Sequence, residues 1–181
     1  MSAAPLLSLW NRLSRWPAGG WLFSRAICFK APYFGTISPR ITLLEAGRCQ
    51  ARIADRRRVR NHIGTVHAIA LCNLAELVAG VMTDATLPAA MRWIPKGMTV
   101  EYRKRATGTL RAEALPERPI VASSEAYDLP VRVTVADRKG DTVFVATIAM
   151  RISPRPARGW RPTRPAWAST STSWPSTRRK L

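Results

Sequence analysis

The sequence predicts an α+β domain in which an antiparallel sheet curls around one long central helix. Three observations predict it. A single extended helical pattern runs from Val66 to about Met82. Segments alternating between apolar and polar residues follow it, as half-buried strands do. The last two of these flank Asp137-Arg138-Lys139-Gly140-Asp141, a turn containing Gly of the kind that closes hairpins. One helix followed by a run of strands leaves the sheet that helix to cover.

The chain divides into residues 1–40, 41–153 and 154–181. In the first part Leu6, Leu9, Trp10, Leu13 and Trp16 recur at helical spacing, and Pro17-Ala18-Gly19-Gly20 ends that helix. A second apolar-basic helix is predicted from Trp21 to about Lys30. Two amphipathic helices of this kind pack on a core or a dimer partner; with Trp and Arg they also suit an anionic membrane surface or an acyl chain. From Ile41 the period changes. In Arg48–Ala54, Cys49, Ala51 and Ile53 alternate with Gln50, Arg52 and Ala54, which predicts a strand. Arg56, Arg57, Arg58 and Arg60 form the densest basic cluster of the domain, readable as a phosphate site or as a solvated strand end.

In the long helix Gly64-Thr65 supplies the turn and cap. Ala68, Cys72, Ala75 and Ala79 form a stripe of small side chains that allows close approach to a sheet, and Asn73, Glu76 and Gly80 share a neighbouring face. Strands are then expected at Met98–Ala106, Thr109–Ala114, Ser123–Tyr127, Val131–Asp137 and Thr142–Ile152. Residues 154–181 are rich in Pro, Ser, Thr, Arg and Trp without periodicity, which predicts a disordered basic tail. Interleaved Trp and Arg fit nucleic acid by charge and stacking, and fit equally an extension without function; no specific nucleic-acid partner is expected.

Composition narrows the function classes. Of 181 residues 46% are hydrophobic, enough for a core, and 29 Lys plus Arg against 11 Asp plus Glu give a formal net charge of +18. That charge favours phosphate-bearing partners: a phosphorylated cofactor, nucleic acid or a membrane surface. Cys28, Cys49 and Cys72 form no C-x-x-C pair, and with two histidines, His62 and His67, no metal centre is expected. Free cysteines suit the cytoplasm. Residues 1–44 hold no acid, as in an organelle transit peptide, an alternative the composition leaves open. Arginines interrupt the N-terminal apolar runs, so no membrane-spanning helix is indicated there.

Glu76 is the one acid in the apolar run Asn61–Gly80. A carboxylate in a segment that reads as buried either pairs with a cation or does chemistry. Thioester hydrolysis needs such a carboxylate, to deprotonate water or to attack, and backbone N–H donors for the developing oxyanion, which a helix N-terminus supplies. The helix begins near His67-Ala68, roughly 12–14 Å from Glu76 at about 1.5 Å per residue. One chain hardly puts both on the same atom; two chains across a two-fold axis do. A homodimer with shared sites is therefore expected.

Asn61, Gly64, His67 and Glu76 resemble the N-x-x-G-x-x-H-G-G-(x)6-D/E signature of hot-dog fold acyl-CoA thioesterases of the 4-hydroxybenzoyl-CoA and phenylacetate-pathway types. Tyr102, Ala106, Gly108, Leu110, Ala112 and Ala114 resemble their Y-x-x-x-A-x-G-x-L-x-A-x-A strand pair. The match spans about residues 41–153. The resemblance implies a hot-dog fold, a dimer or dimer of dimers, and an acyl-CoA substrate, with CoA part of the substrate and no separate cofactor. It implies Glu76 as base or nucleophile, Asn61 orienting thioester or water, the Ala68 N–H polarising the carbonyl and His67 holding the turn. Ile69, Asn73, Lys96, Arg103 and Lys104 are the expected substrate contacts: Lys96 near Glu76, where it would set the local electrostatics, and Arg103 and Lys104, with Arg105, toward the CoA phosphates, a run readable equally as a solvated strand face. Where the family has Gly-Gly after the histidine this chain has Ala68-Ile69. Ala68 keeps the N–H; the Ile69 side chain adds bulk beside the thioester. A non-catalytic hot-dog module binding acyl-CoA or lipid is the rival that Ile69 favours, and a charge-driven nucleic-acid or membrane binder is the third.

Overall fold

The structure, a computed structural model, describes residues 4–156. Helix α1 (Pro5–Leu13), helix α2 (Gly19–Lys30) and a 3-10 turn at Pro32–Ile37 precede strands β1 (Arg40–Glu45) and β2 (Arg48–Ile53). A short 3-10 turn, Arg57–Val59, leads to the long helix α3 (Ala68–Thr86). Strands β3 (Met91–Tyr102), β4 (Leu110–Pro116), β5 (Tyr127–Ala136) and β6 (Thr142–Pro154) complete the chain. All six strands form one antiparallel sheet in the order β1-β2-β4-β5-β6-β3. The α+β arrangement of one sheet curled around one helix is the one expected.

Helix α3 sits in the curl. Leu74, Ala75, Val78, Ala79 and Met82 have no exposed surface, and neither do Ile53, Leu110, Ala114, Val131, Val133 and Phe144 of the sheet. Each large side chain buried this way contributes about 1.5–3 kcal/mol. Ala75 and Ala79 leave room for the β2, β4 and β5 side chains. By length and composition α3 could cross a membrane; it is the core helix of this fold. The alternate residues of β2 and β4 (Arg48, Gln50, Arg52, Arg111, Glu113) project from the sheet's outer face.

The two ends of the sheet are finished differently. At β1, the Ser24 Oγ of α2 accepts the Ile41 N–H at 2.8 Å, so that the helix covers this edge. Trp10 of α1 packs edge-on against Phe23 of α2, centroids 5.1 Å apart, and anchors both helices to the core. At the other end β3 pairs with β6 along one side, and no described strand meets its other side.

Two expectations need correction. Residues 123–126 are loop, and β5 begins at Tyr127. Strand β3 starts at Met91 rather than Met98, because Pro95 and Gly97 obscure the alternation; both are tolerated on an edge strand, where the register shifts between them. The helices α1 and α2 and the Asp137–Asp141 hairpin turn lie where expected, the latter held by Asp137 Oδ1 accepting the N–H groups of Lys139 and Asp141. The tail reading for 154–181 lies, from residue 157 on, outside the described residues.

The junction between α1 and α2 supplies a test. A Cβ on Gly19 would lie 1.6 Å from the Leu13 carbonyl oxygen, so the two helices close this tightly because residue 19 has no side chain. Gly19→Ala should destabilise the fold by about 1–3 kcal/mol, read as a lower denaturation midpoint in urea; an unchanged midpoint would show that the helix junction is not under this constraint.

Candidate active site

The turn leading into α3 is built by the motif residues themselves. Asn61 Oδ1 accepts the N–H groups of Ile63 (3.2 Å) and Thr65 (3.1 Å), and its Nδ2 donates to Thr65 Oγ1 at 2.9 Å. Gly64 takes φ +79°, a left-handed conformation that a side chain would strain. The Val66 N–H donates to the Ala106 carbonyl and the His67 N–H to that of Val59, both at 2.8 Å. His67 Nδ1 then accepts the Ile69 N–H at 3.1 Å and caps the helix. The Asn61 amide is thus engaged within its own turn through its oxygen, which accepts two N–H groups, and through one of its two N–H donors. The Ala68 N–H, first in the helix, has no acceptor among the described residues.

The second motif is also largely structural. Ala106, Leu110, Ala112 and Ala114 are buried against the core. Gly108 takes φ +71°, and its N–H donates to Asp55 Oδ2 at 2.9 Å. Asp55 also holds Arg60 at 2.6 Å, and these contacts, the Arg60 hydrogen bond foremost, keep its carboxyl below the ordinary carboxylate value. Asp55 thereby ties the end of β2 to both motifs, a role that no sequence signal marked.

Glu76 is different. It is half-buried and, among the described residues, makes neither a hydrogen bond nor an ion pair. Pairing with a basic neighbour, the structural explanation for an acid in an apolar helix, is not what the structure shows. Glu76 lies, one turn after the likewise half-buried Cys72, on the strip of α3 that the sheet covers least; one turn further on, Gly80 is buried. On the β3 side of this strip, the Tyr102 hydroxyl meets Cys72 Sγ at 3.3 Å and Trp93 lies over Gly80 while its Nε1 donates to Asp84 at 2.6 Å. The contact with Cys72 and partial burial hold the Tyr102 phenol above its ordinary value, at about 12. On the other side, Asn73 Nδ2 donates to Thr36 Oγ1 at 3.2 Å, bringing in the Pro32–Ile37 turn.

Asn73 is 5% exposed and its Oδ1 has no partner. A buried acceptor without a donor is costly and uncommon. Asn73 lines a small cavity of about 170 Å³ with His67, Ile69 and Tyr33. Ile69 is 54% exposed, so that its side chain forms the rim of this cavity rather than filling it. The cavity is well below the size of a usual ligand pocket, so the chain by itself does not enclose a ligand here.

The basic residues fall elsewhere. Lys96 lies on the outer face of the sheet and pairs with Asp128 at 2.7 Å; Arg151 meets the same carboxylate at 3.0 Å. Lys96 and, beside it, Arg151 hold Asp128 below the ordinary carboxylate value. The expected placement of Lys96 beside Glu76 is therefore corrected: the register shift at Pro95/Gly97 turns it away from α3. Arg103 pairs with Glu101 at 3.0 Å and Lys104 with Asp141 at 3.2 Å, both exposed at the end of β3. They are not brought to Glu76. No cluster of metal-ligating side chains occurs among the described residues.

Residues 19–152 match the family described as a domain of unknown function, DUF4442. The chain belongs to that family. A crystal structure of a genomics target is 42% identical, covering 83% of this chain and 99% of its own, with a TM-score of 0.70. A Pseudomonas aeruginosa protein of unknown function, described as a probable thioesterase, is 23% identical over 71% of this chain and 91% of its own, TM-score 0.62. A thioesterase from Haemophilus influenzae is 11% identical over 67% and 82% of the two chains, TM-score 0.59. These likenesses establish the hot-dog fold of the DUF4442 chain and place thioesterases among its structural relatives. No curated protein matches the sequence.

The Asp55 node makes a prediction for this family member. A carboxyl held below its unfolded value contributes stability that is present above about pH 3.8 and lost as pH falls through the folded value. Asp55→Asn should lower the thermal midpoint at neutral pH and flatten its decline below pH 4. A variant whose acid limb matched the wild type would remove Asp55 from this role.

Proposed function

We propose that this protein is an acyl-CoA thioesterase in which Glu76 serves as the catalytic carboxylate, in sites shared between two subunits. The observation that carries this reading is that Glu76 alone among the signature residues has no structural task. Asn61, Gly64 and His67 build the turn, and Ala106, Gly108, Leu110, Ala112 and Ala114 build the strand pair. Keeping an unpaired carboxylate half-buried on a helix whose neighbours are apolar costs desolvation free energy, and catalysis is the use that offsets it.

In this mechanism water attacks the thioester carbonyl while Glu76 takes its proton. The tetrahedral oxyanion is stabilised by a backbone N–H, for which the unengaged Ala68 group at the positive end of α3 is suited. The C–S bond then breaks, and the proton returns to the departing CoA thiolate. Direct attack by Glu76, with an anhydride then hydrolysed, uses the same groups. Glu76 and Ala68 of one chain lie two helical turns apart, so the donor comes from a second copy. The bare side of β3 supports that assembly: antiparallel pairing of two β3 strands would bring the least-covered strips of two α3 helices toward one interface and satisfy the open backbone groups. The engaged Asn61 amide positions the turn rather than the substrate. The unpaired Oδ1 of Asn73 suits an amide or hydroxyl donor on the ligand.

Glu76→Gln should reduce the kcat for hydrolysis of a panel of aliphatic and aromatic acyl-CoAs by about 10²–10⁴-fold, with the dimer intact. Full activity in the variant, or no hydrolysis by the wild type, would remove the catalytic assignment. A wild type that binds acyl-CoA without hydrolysing it would establish instead the non-catalytic module, the reading that Ile69 in place of glycine favours. Light scattering after size exclusion should give twice the monomer mass; an active monomer would exclude the shared site.

A further inference from the structure

The opposite end of the sheet carries a second feature that Glu76 chemistry does not use. Arg40 of β1 stands directly opposite Arg52 of β2, and Arg52 directly opposite Arg111 of β4. Direct cross-strand partners share a face with Cβ atoms about 4.5–5.5 Å apart, and like charges there are destabilising. Three arginines therefore run in a row across the outer face of the sheet. Among the described residues none of the three is engaged by a carboxylate: the nearby acids Glu113 and Asp55 are taken by Arg48 and Arg60. Arg40 is half-buried, which adds desolvation to the repulsion.

This row opens into a cleft. Helix α2 passes over the edge of β1 and encloses about 630 Å³ against the sheet, lined by Trp21 and Arg25 of the helix, Arg40 and Arg52 of the strands, and Arg56 and Thr109 beyond them. Arg25 and Arg56 also lack an acidic partner among the described residues. Ser38, on the wall, is held at φ +45°, the one described non-glycine residue in the left-handed region. Such strain concentrates where the surroundings impose a geometry. Arg40 and Arg52 also line an adjoining hollow of about 350 Å³ beside Trp10 and Trp16. Concave shape, several guanidinium groups and no acid describe a receptor for clustered negative charge; guanidinium forks match phosphate oxygens two at a time.

We propose that the cleft between α2 and the outer face of β1 and β2 binds a ligand carrying adjacent phosphate groups. The ligand neutralises Arg40 and Arg52, the two arginines of the row that line the cleft, and the exposed indole of Trp21 at the wall offers an apolar face to the remainder of the molecule. The site is separate from the Glu76 strip. Arg52 projects from the outer face of β2, whereas α3, which carries Glu76, packs against the inner face. The proposal stands whether or not Glu76 hydrolyses thioesters.

Pyrophosphate is the probe, titrated calorimetrically into the full chain at low ionic strength. Wild type should bind it, and Arg52→Gln should weaken binding about tenfold or more. Lys139→Gln makes the same charge change on the β5–β6 turn, outside the cleft, and should alter affinity less than about twofold. A second readout separates a site from a structural arginine: without ligand, Arg52→Gln should raise the thermal midpoint, because it relieves two like-charge contacts, yet lose most of the stabilisation that pyrophosphate gives the wild type. If Arg52→Gln fails to fold, Arg40→Gln tests the same cleft. Equal losses in the Arg52 and Lys139 variants would reduce the effect to overall charge and overturn the proposal, as would no binding at all. Co-sedimentation with phosphatidylcholine vesicles containing phosphatidic acid identifies the source of the phosphate. Vesicle binding abolished by Arg52→Gln would make a lipid headgroup the ligand of this cleft. Vesicle binding that survives the substitution, without pyrophosphate binding, would overturn the proposal.

Discussion

The packing of α3 into the curl of the sheet is the interaction on which everything else depends. Ala75 and Ala79 have no exposed surface, and the apolar side chains around them, Leu74, Val78 and Met82, have none either. A helix enclosed this fully has one strip left where a charged side chain reaches solvent, and that strip is fixed once the core residues are chosen. Cys72 and Glu76 stand on it at successive turns. The position of the candidate carboxylate is therefore a by-product of burial: it occupies the one side of α3 where a charge avoids the core.

The same constraint explains why the two signature motifs are mostly architectural. A buried helix must start at a defined point, and its first N–H groups need acceptors. The Asn61 turn, the left-handed Gly64 and the His67 cap fix that start, and the Ala106 carbonyl binds the turn to the connection between β3 and β4. Asp55 then couples this region to Gly108 and Arg60. One acidic side chain thus joins the segment that follows β2 to Gly108, which is distant in sequence.

The fold was legible because its periodicities are clean. Strand β2 alternates without interruption, and α3 carries helical apolar spacing over its whole length. The first half of β3 was not legible, since an edge strand is wet on more than one side and carries Pro95 and Gly97 besides. The placement of Lys96 failed for a related reason. Before the register shift the odd-numbered Trp93 faces the helix, and after it the even-numbered Tyr102 does. A one-residue slip exchanges the two faces, and nothing in the residue string marks where it occurs. Asn61 illustrates a further limit: the sequence shows an amide near the helix start, but not that its own turn consumes it. The arginine row is invisible in sequence because Arg40, Arg52 and Arg111 become neighbours through strand pairing alone.

The unequal finish of the sheet's two ends has a consequence for assembly. A strand added at β3 finds open backbone groups, whereas a strand arriving at β1 finds the Ile41 amide already occupied by Ser24. Growth by edge addition can therefore proceed in one direction from each chain. When two identical chains meet through their bare sides, both outer ends are capped and nothing remains to extend. The helix α2 acts in this respect as a chain terminator: at the β1 edge it already occupies the Ile41 amide that an added strand would use.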